Sequence, residues 1–344
     1  LPLAFYLMVG SEMTEIWRGA RVLVAGANGF IGAALTRELV RRGAVVTAGV
    51  RRLSASARES EGFARAAVAF VDFTDLSQSQ SVTEGQEYVF VAAAVDGNAE
   101  FKRQRAAHIF RTNSVIATNL LEASRVNHVK TLTYLSSAEV YSDSSPLPLL
   151  ETERSGDVGG NNYNSYALAK LFGEVASRMY YREHGLGVAI ARPCNVYGPG
   201  DTADPTRGRV ISQWIAAGLS GRPIRIWGTG AEVRSFVYID DLIEGLLRLA
   251  ERYPCAEPVN IAGPESVSLL QLATLINRIG GFSSAVEFAE SVAGTPVQRV
   301  LDIGRAREVL GYRPSFDLER GLALTIADQR MRSLSEVPTA GSHV

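Results

Sequence analysis

The stretch Arg21-Val22-Leu23-Val24-Ala25-Gly26-Ala27-Asn28-Gly29-Phe30-Ile31-Gly32 opens the globular part of the chain. Arg21 to Ala25 reads as a short apolar strand. A helical repeat then runs from Phe30 to Arg42 and stops at Gly43, a residue type that ends helices. Strand, glycine-rich turn and helix, in that order, form the context that makes a glycine triplet meaningful. Gly26 permits the sharp turn, Gly29 lets the backbone approach a pyrophosphate, and Gly32 lets helix and strand pack closely. Dinucleotide phosphates would sit on the helix N-terminus, beside Asn28, Phe30 and Ile31.

The next strand, Val45 to Val50, ends where the cofactor is chosen. Sites that take NAD usually place Asp or Glu there to hold the adenosine ribose. Here stand Arg51 and Arg52, and the first acid downstream is Glu59. Two guanidiniums suit a 2′-phosphate, so NADP(H) is the expected cofactor and NAD the alternative. The plainer reading is a pair of solvated arginines opening a loop.

Strands continue at Ala67 to Val71, Tyr88 to Ala93 and Thr131 to Leu135, with a helical stretch predicted from about Lys102 to Val126. Short strands alternating with helices predict a parallel, doubly wound sheet. Asp72, with Phe73 beside it, is placed at a strand end to touch the adenine. Ala92, Ala93 and Ala94 offer small side chains where a cofactor lies against the backbone. All of these also read as ordinary strand ends.

The Thr131 strand ends in Ser136-Ser137-Ala138-Glu139-Val140-Tyr141, and ligands of such sheets lie beyond the carboxyl ends of the strands. Ser137 and Glu139 therefore belong in the crevice. Downstream, Asn164-Ser165-Tyr166-Ala167-Leu168-Ala169-Lys170 places Tyr166 and Lys170 four apart on one helical face. A phenol is a poor proton donor and a worse base at neutral pH. An ammonium on the same face is expected to bring its pKa toward the working range. Tyr166 alone would read as a half-buried core residue; with Ser137 upstream it reads as a catalytic acid.

Composition bounds the rest. The 344 residues are 46% hydrophobic and 21% charged, with a formal net charge of −1. That balance leaves no footprint for nucleic acid or an anionic membrane. The two cysteines suit a reducing cytosol, and the four scattered histidines lack metal-ligand spacing, so no metal is expected. Leu1 to Val9 is apolar but too short to span a bilayer. The globular pattern starts near Ile16, with Met8 and Met13 as natural start residues. Residues 1–12 and 332–344 are expected to be flexible tails.

Past the Val188 to Ala191 strand lie Pro193, Asn195 and a Gly/Pro/Asp/Thr-rich segment reaching Gly208. A helix at Val210 to Leu219, strands at Ile224 to Trp227 and Val233 to Val237, a leucine-rich helix, and a strand at Pro258 to Ala262 follow.

Together, GANGFIG, SSAEVY, SYALAK, RPCNVYGPG and IWGTGAEVRSFVYIDDL resemble the extended short-chain dehydrogenase/reductase family, in particular its nucleotide-sugar epimerases, dehydratases and ketoreductases. The wording is most similar to the GDP-L-fucose synthase subfamily. The likeness spans roughly Arg21 to Thr325. It implies an α/β fold: a Rossmann doubly wound parallel sheet (13–198 with 235–262) and a smaller C-terminal α/β substrate domain (199–234 with 263–331). It also implies a nucleotide-diphosphate sugar as substrate and a cytoplasmic homodimer. Asn195, Arg234 and Arg299 look like diphosphate contacts, Trp227 like part of the nucleobase wall, and Arg209 with Val210 like substrate contacts. Lys170 would also hold the nicotinamide ribose, and Asn113 would support the proton network near the cofactor.

Two departures matter. Glu139 stands where the subfamily carries its epimerising cysteine, and Arg209 where it carries the partner histidine. Arginine stays protonated and cannot shuttle a proton. The dehydratases' acidic Asp position is Ala138. What survives is hydride transfer at a sugar C4 by Ser137, Tyr166 and Lys170, with Glu139 contacting the ring or abstracting an α-proton. The expected activity is NADPH-dependent 4-ketoreduction of an NDP-4-keto-6-deoxyhexose. The alternatives are a 4-epimerase or uronate decarboxylase holding NAD tightly, or a non-catalytic NADP sensor.

Overall fold

The computed structural model describes residues 16–53, 61–153, 164–204, 208–290 and 298–335. The expected N-terminal tail lies outside them. The expected C-terminal tail lies outside them only from residue 336, because the last helix continues to Ser335.

Twelve strands are described: β1 (Arg21–Ala25), β2 (Val45–Val50), β3 (Ala67–Phe70), β4 (Tyr88–Val91), β5 (Thr131–Leu135), β6 (Gly187–Pro193), β7 (Asn195–Tyr197), β8 (Ile224–Trp227), β9 (Val233–Tyr238), β10 (Cys255–Ile261), β11 (Ser266–Ser268) and β12 (Val286–Ala289). The helices are α1 (Phe30–Arg41), α2 (Glu61–Ala64), α3 (Leu76–Thr83), α4 (Ala99–Gln104), α5 (Ala106–Val126), α6 (Ser165–His184), α7 (Val210–Leu219), α8 (Ile239–Arg252), α9 (Leu269–Gly280), α10 (Gly304–Leu310) and α11 (Leu318–Ser335).

Seven strands form one sheet in the order β10-β6-β5-β4-β1-β2-β3, every neighbouring pair parallel. Strand order reverses between β1 and β4, which opens the crevice where such sheets bind ligands. The strands are apolar on both faces: β5 is buried at all five positions and β1 at four of five. Helices on both sides explain that pattern. β7, β9 and β11 form a three-stranded sheet, and β8 pairs with β12. Among the described residues, no helix is long and apolar enough to cross a membrane.

The long helix expected from Lys102 to Val126 is two helices. Arg105, with φ −118° and ψ 24°, breaks it between α4 and α5. The break has a local cause. Asn98 caps α4 through Phe101 N, which starts the chain in a separate short turn before α5 begins.

Candidate active site

The glycine turn is built as its spacing requires. Gly26 has φ +82°, and a Cβ there would lie 2.6 Å from the Ala93 backbone. A Cβ on Gly32 would lie 2.1 Å from the Gly26 carbonyl oxygen. These contacts press α1 onto β1 and bring the β1 and β4 ends together. Gly29 caps α1 with no side chain engaged, so the first N–H groups of Phe30 and Ile31 face the turn. Asn28 Nδ2 donates to the Arg52 carbonyl at 2.7 Å, joining the turn to the end of β2. Arg51 and Arg52 are both exposed there. A glycine cradle with an open helix N-terminus fits a dinucleotide pyrophosphate, and two cations stand at the adjoining strand end.

Asp72 closes a turn by accepting from Thr74 N and Oγ1, which holds its carboxyl below the ordinary range. Phe73, beside it, is 4% exposed, and its ring packs over Gly49 in the core. Ala92 and Ala93 are half-buried and Ala94 is exposed at the β4 end, while Pro193 is buried at the end of β6.

Ser137 and Glu139 follow β5 in a single 3₁₀ turn that Ser137 caps. The Ser137 hydroxyl oxygen accepts from Glu139 N at 3.1 Å, which leaves its own O–H to donate elsewhere. Asn164 caps α6 by accepting from the N–H groups of Tyr166 and Ala167, setting Tyr166 and Lys170 on the first turns. Lys170 Nζ donates to the Leu135 carbonyl at 2.6 Å and lies 5.5 Å from the Tyr166 ring centre. Burial pushes the Lys170 ammonium down to about 8, against the opposing pull of Asp96 and Glu139.

The tyrosine pKa departs from expectation. Burial, reinforced by Asp96 and Glu139, pushes the Tyr166 phenol well above its ordinary value, and Arg209 only partly offsets this. The motif lysine does not dominate the local field; two carboxylates near a desolvated phenol do. The direction of this shift favours the protonated phenol.

Sequence reading missed three residues at this centre. Lys102 on α4 donates to both Glu139 oxygens, at 2.7 and 2.9 Å, and to Asp96 at 3.1 Å. Its ammonium lies 4.5 Å from the Tyr166 ring centre. Asn164 Nδ2 donates to Glu139 Oε2 at 2.5 Å. Nothing in local spacing marks Lys102 or Asp96; only the Asn98 cap hints that α4 starts there. Asn113 acts at one remove. Its amide accepts from Val95 N at 2.7 Å and donates to Val95 O at 2.9 Å, which fixes the segment carrying Asp96.

Arg209 pairs with the fully buried Asp201 at 2.8 Å and lies 5.2 Å above the Phe30 ring, so it links the loop before α7 to the first residue of α1. Val210 is half-buried at the start of α7. Asn195 Nδ2 donates to Ser235 O at 2.9 Å, tying β7 to β9. Arg234 and Arg299 meet through an isolated backbone bridge. Arg299 is 8% exposed, donates to Tyr141 O and Asp143, and has an Nε without a hydrogen-bond partner among the described residues. Burial first, and then each other's charge, pulls the Arg234 guanidinium down; burial does the same at Arg299. Two neighbouring desolvated cations make a place for an anion. Trp227 closes β8 with 49% of its surface exposed.

Comparison with known proteins agrees with this architecture. Residues 22–262 match the model of the NAD dependent epimerase/dehydratase family. The chain is 37% identical over 318 residues to dTDP-4-dehydro-6-deoxy-D-allose reductase of a Streptomyces species, covering 90% of this chain and 96% of that one. A probable GDP-L-fucose synthase of rice is 29% identical over 90% of this chain and 91% of its own. Among solved structures, the UDP-glucose 4-epimerase of Thermotoga maritima with UDP-glucose superposes with a TM-score of 0.83 at 27% identity, covering 91% of this chain and 99% of that one.

Proposed function

The chain belongs to the NAD dependent epimerase/dehydratase family, and within it we propose that it is an NADPH-dependent ketoreductase acting at C4 of a nucleoside-diphosphate 4-keto-6-deoxyhexose. The observation that carries this reading is the near full-length likeness to dTDP-4-dehydro-6-deoxy-D-allose reductase of a Streptomyces species. The site agrees with it: Tyr166 and Lys170 stand on the first turns of α6, Lys170 anchored on Leu135 O, and burial shifts the Tyr166 phenol upward, toward the form that gives a proton to a ketone oxygen.

The bound nicotinamide would supply the hydride. Gly26, Gly29 and Gly32 would hold its pyrophosphate, and Arg51 with Arg52 a ribose 2′-phosphate. Tyr166 Oη gives its proton to the C4 oxygen, and the Ser137 hydroxyl donates a hydrogen bond to that same oxygen as charge develops. Lys170, anchored on Leu135 O, places a positive charge behind the phenolate that forms. Arg234 and Arg299 would engage the diphosphate on the nucleotide side of the substrate site.

The test is direct: NADPH consumption at 340 nm with thymidine-diphosphate-4-keto-6-deoxyglucose, against NADH and against UDP-glucose without added cofactor. Turnover of the 4-keto sugar with NADPH is expected. Interconversion of UDP-glucose and UDP-galactose with no added cofactor would replace this reading by the epimerase one, for which the fold likeness to the Thermotoga enzyme speaks.

A further inference from the structure

We propose that Lys102 is a positioning residue that clamps Glu139 as a non-basic carboxylate, so that the site reduces its ketone without removing the neighbouring α-proton. The inference rests on the ketoreductase reading for its substrate.

Glu139 is the one carboxylate placed beside Ser137 at the β5 end, where it would otherwise suit proton abstraction next to a ketone. Both its oxygens are engaged by the Lys102 ammonium, and Oε2 also accepts from Asn164. The three ammonium hydrogens of Lys102 meet two Glu139 oxygens and Asp96. Lys102 is itself fixed. Asn98 caps its helix and accepts Lys102 N through its carbonyl at 3.0 Å, and Asn113 pins Val95 just upstream. Lys102 is only 15% exposed and Glu139 34%, so water competes weakly for the ammonium and only in part for the carboxylate.

The groups facing this pair are Asp96 from the β4–α4 segment, Tyr166 and Lys170 from α6, Arg234 on β9, and Arg299 from the segment bridged to β9. Burial alone would make Glu139 a better base and Lys102 a stronger acid; their mutual attraction outweighs both effects, and each stays charged. A carboxylate held this way has little affinity for a proton. Enolisation would require Glu139 to take the proton from C3 or C5, leaving an enolate whose negative charge rests on the C4 oxygen. In deuterated water the acid would then return a deuteron to the same carbon. Replacing Lys102 by a neutral residue leaves the Glu139 charge to Asn164 and Arg299, which raises its proton affinity and makes that cycle possible.

The experiment incubates thymidine-diphosphate-4-keto-6-deoxyglucose in D₂O with the full chain and no NADPH, and reads deuterium at C3 and C5 by NMR above the enzyme-free rate. Wild type is expected to stay silent from pH 6 to 9. Lys102→Met should exchange at least tenfold faster than wild type, and K102M/E139Q should be silent again. Lys102→Arg, which keeps the charge, should be silent. Exchange by wild type that is lost in Glu139→Gln overturns the proposal, as does a folded Lys102→Met that binds the sugar nucleotide as wild type does and fails to exchange. A second measurement needs no substrate. Glu139→Gln should lower Tm in the wild-type background and raise it in the Lys102→Met background; equal shifts in both backgrounds overturn the clamp. NADPH turnover by wild type reads the ketoreductase assignment separately from either arm.

Discussion

The Lys102 ammonium stands 4.5 Å from the centre of the Tyr166 ring, nearer than the motif lysine Lys170 at 5.5 Å. The ring thus has two cations near it, and two carboxylates, Asp96 and Glu139, lie close enough to raise the pKa of its phenol. A centre of two ammoniums and two carboxylates is close to neutral before the reaction. Proton loss from Tyr166 adds the one negative charge that the site must stabilise.

Removing the phenol oxygen should remove the acid and little else. Tyr166→Phe is expected to lower kcat by about 10²–10⁴ while calorimetry finds cofactor affinity within about twofold, since the ring stays packed in α6. Retention of half the wild-type rate would mean that the proton comes from elsewhere.

Cofactor choice should rest on the end of β2. Arg51 and Arg52 are exposed beside the glycine turn, and a charge-assisted phosphate contact contributes about 1.5–3 kcal/mol. NADPH should bind about one to two decades more tightly than NADH, and the double alanine variant should bind both alike. Equal affinities in wild type, measured by titration calorimetry, would sink the NADP assignment.

Gly32→Ala should damage the fold itself. The added methyl would meet the Gly26 carbonyl oxygen at 2.1 Å, a backbone atom fixed by the turn. Overpacking of this kind costs about 1–3 kcal/mol, and the displaced turn should also weaken dinucleotide binding. Urea denaturation checks the first effect; an unchanged midpoint would show that α1 shifts freely.

Lys170 predicts a pH dependence of stability. Its folded pKa, depressed by burial to about 8, lies below the value near 10.4 of an unfolded lysine. Between those values the unfolded chain binds more protons, so this residue's contribution rises as pH rises from about 8 to 10 and is least favourable below 8. Denaturation of wild type and Lys170→Met at pH 7 and 9.5 should show wild type gaining on the variant by about 1–2 kcal/mol, at 1.36 kcal/mol per unit of pKa difference over that interval. A difference that stays constant between the two pH values would contradict the burial of a charged lysine.

The sequence by itself determined the sheet and the frame of the site. β1, β2, α7 and β8 fall on the residues that hydrophobic patterning marked, because strand and helix periodicity are local properties of the chain. The glycine turn was legible for the same reason: close approaches at Gly26 and Gly32 leave no room for side chains, and Gly29 has little to spare. Ser137, Tyr166 and Lys170 could be named because each follows a strand end or opens a helix. Tertiary structure alone decided the charges around them. Lys102 meets Glu139 across 37 positions of sequence, and Arg299 reaches Arg234 only because a separate segment bridges β9. It also decided the direction of the Tyr166 shift, and that Phe73 is core. Desolvation and Coulomb interaction depend on distances between segments that the fold brings together, and no local pattern encodes those distances.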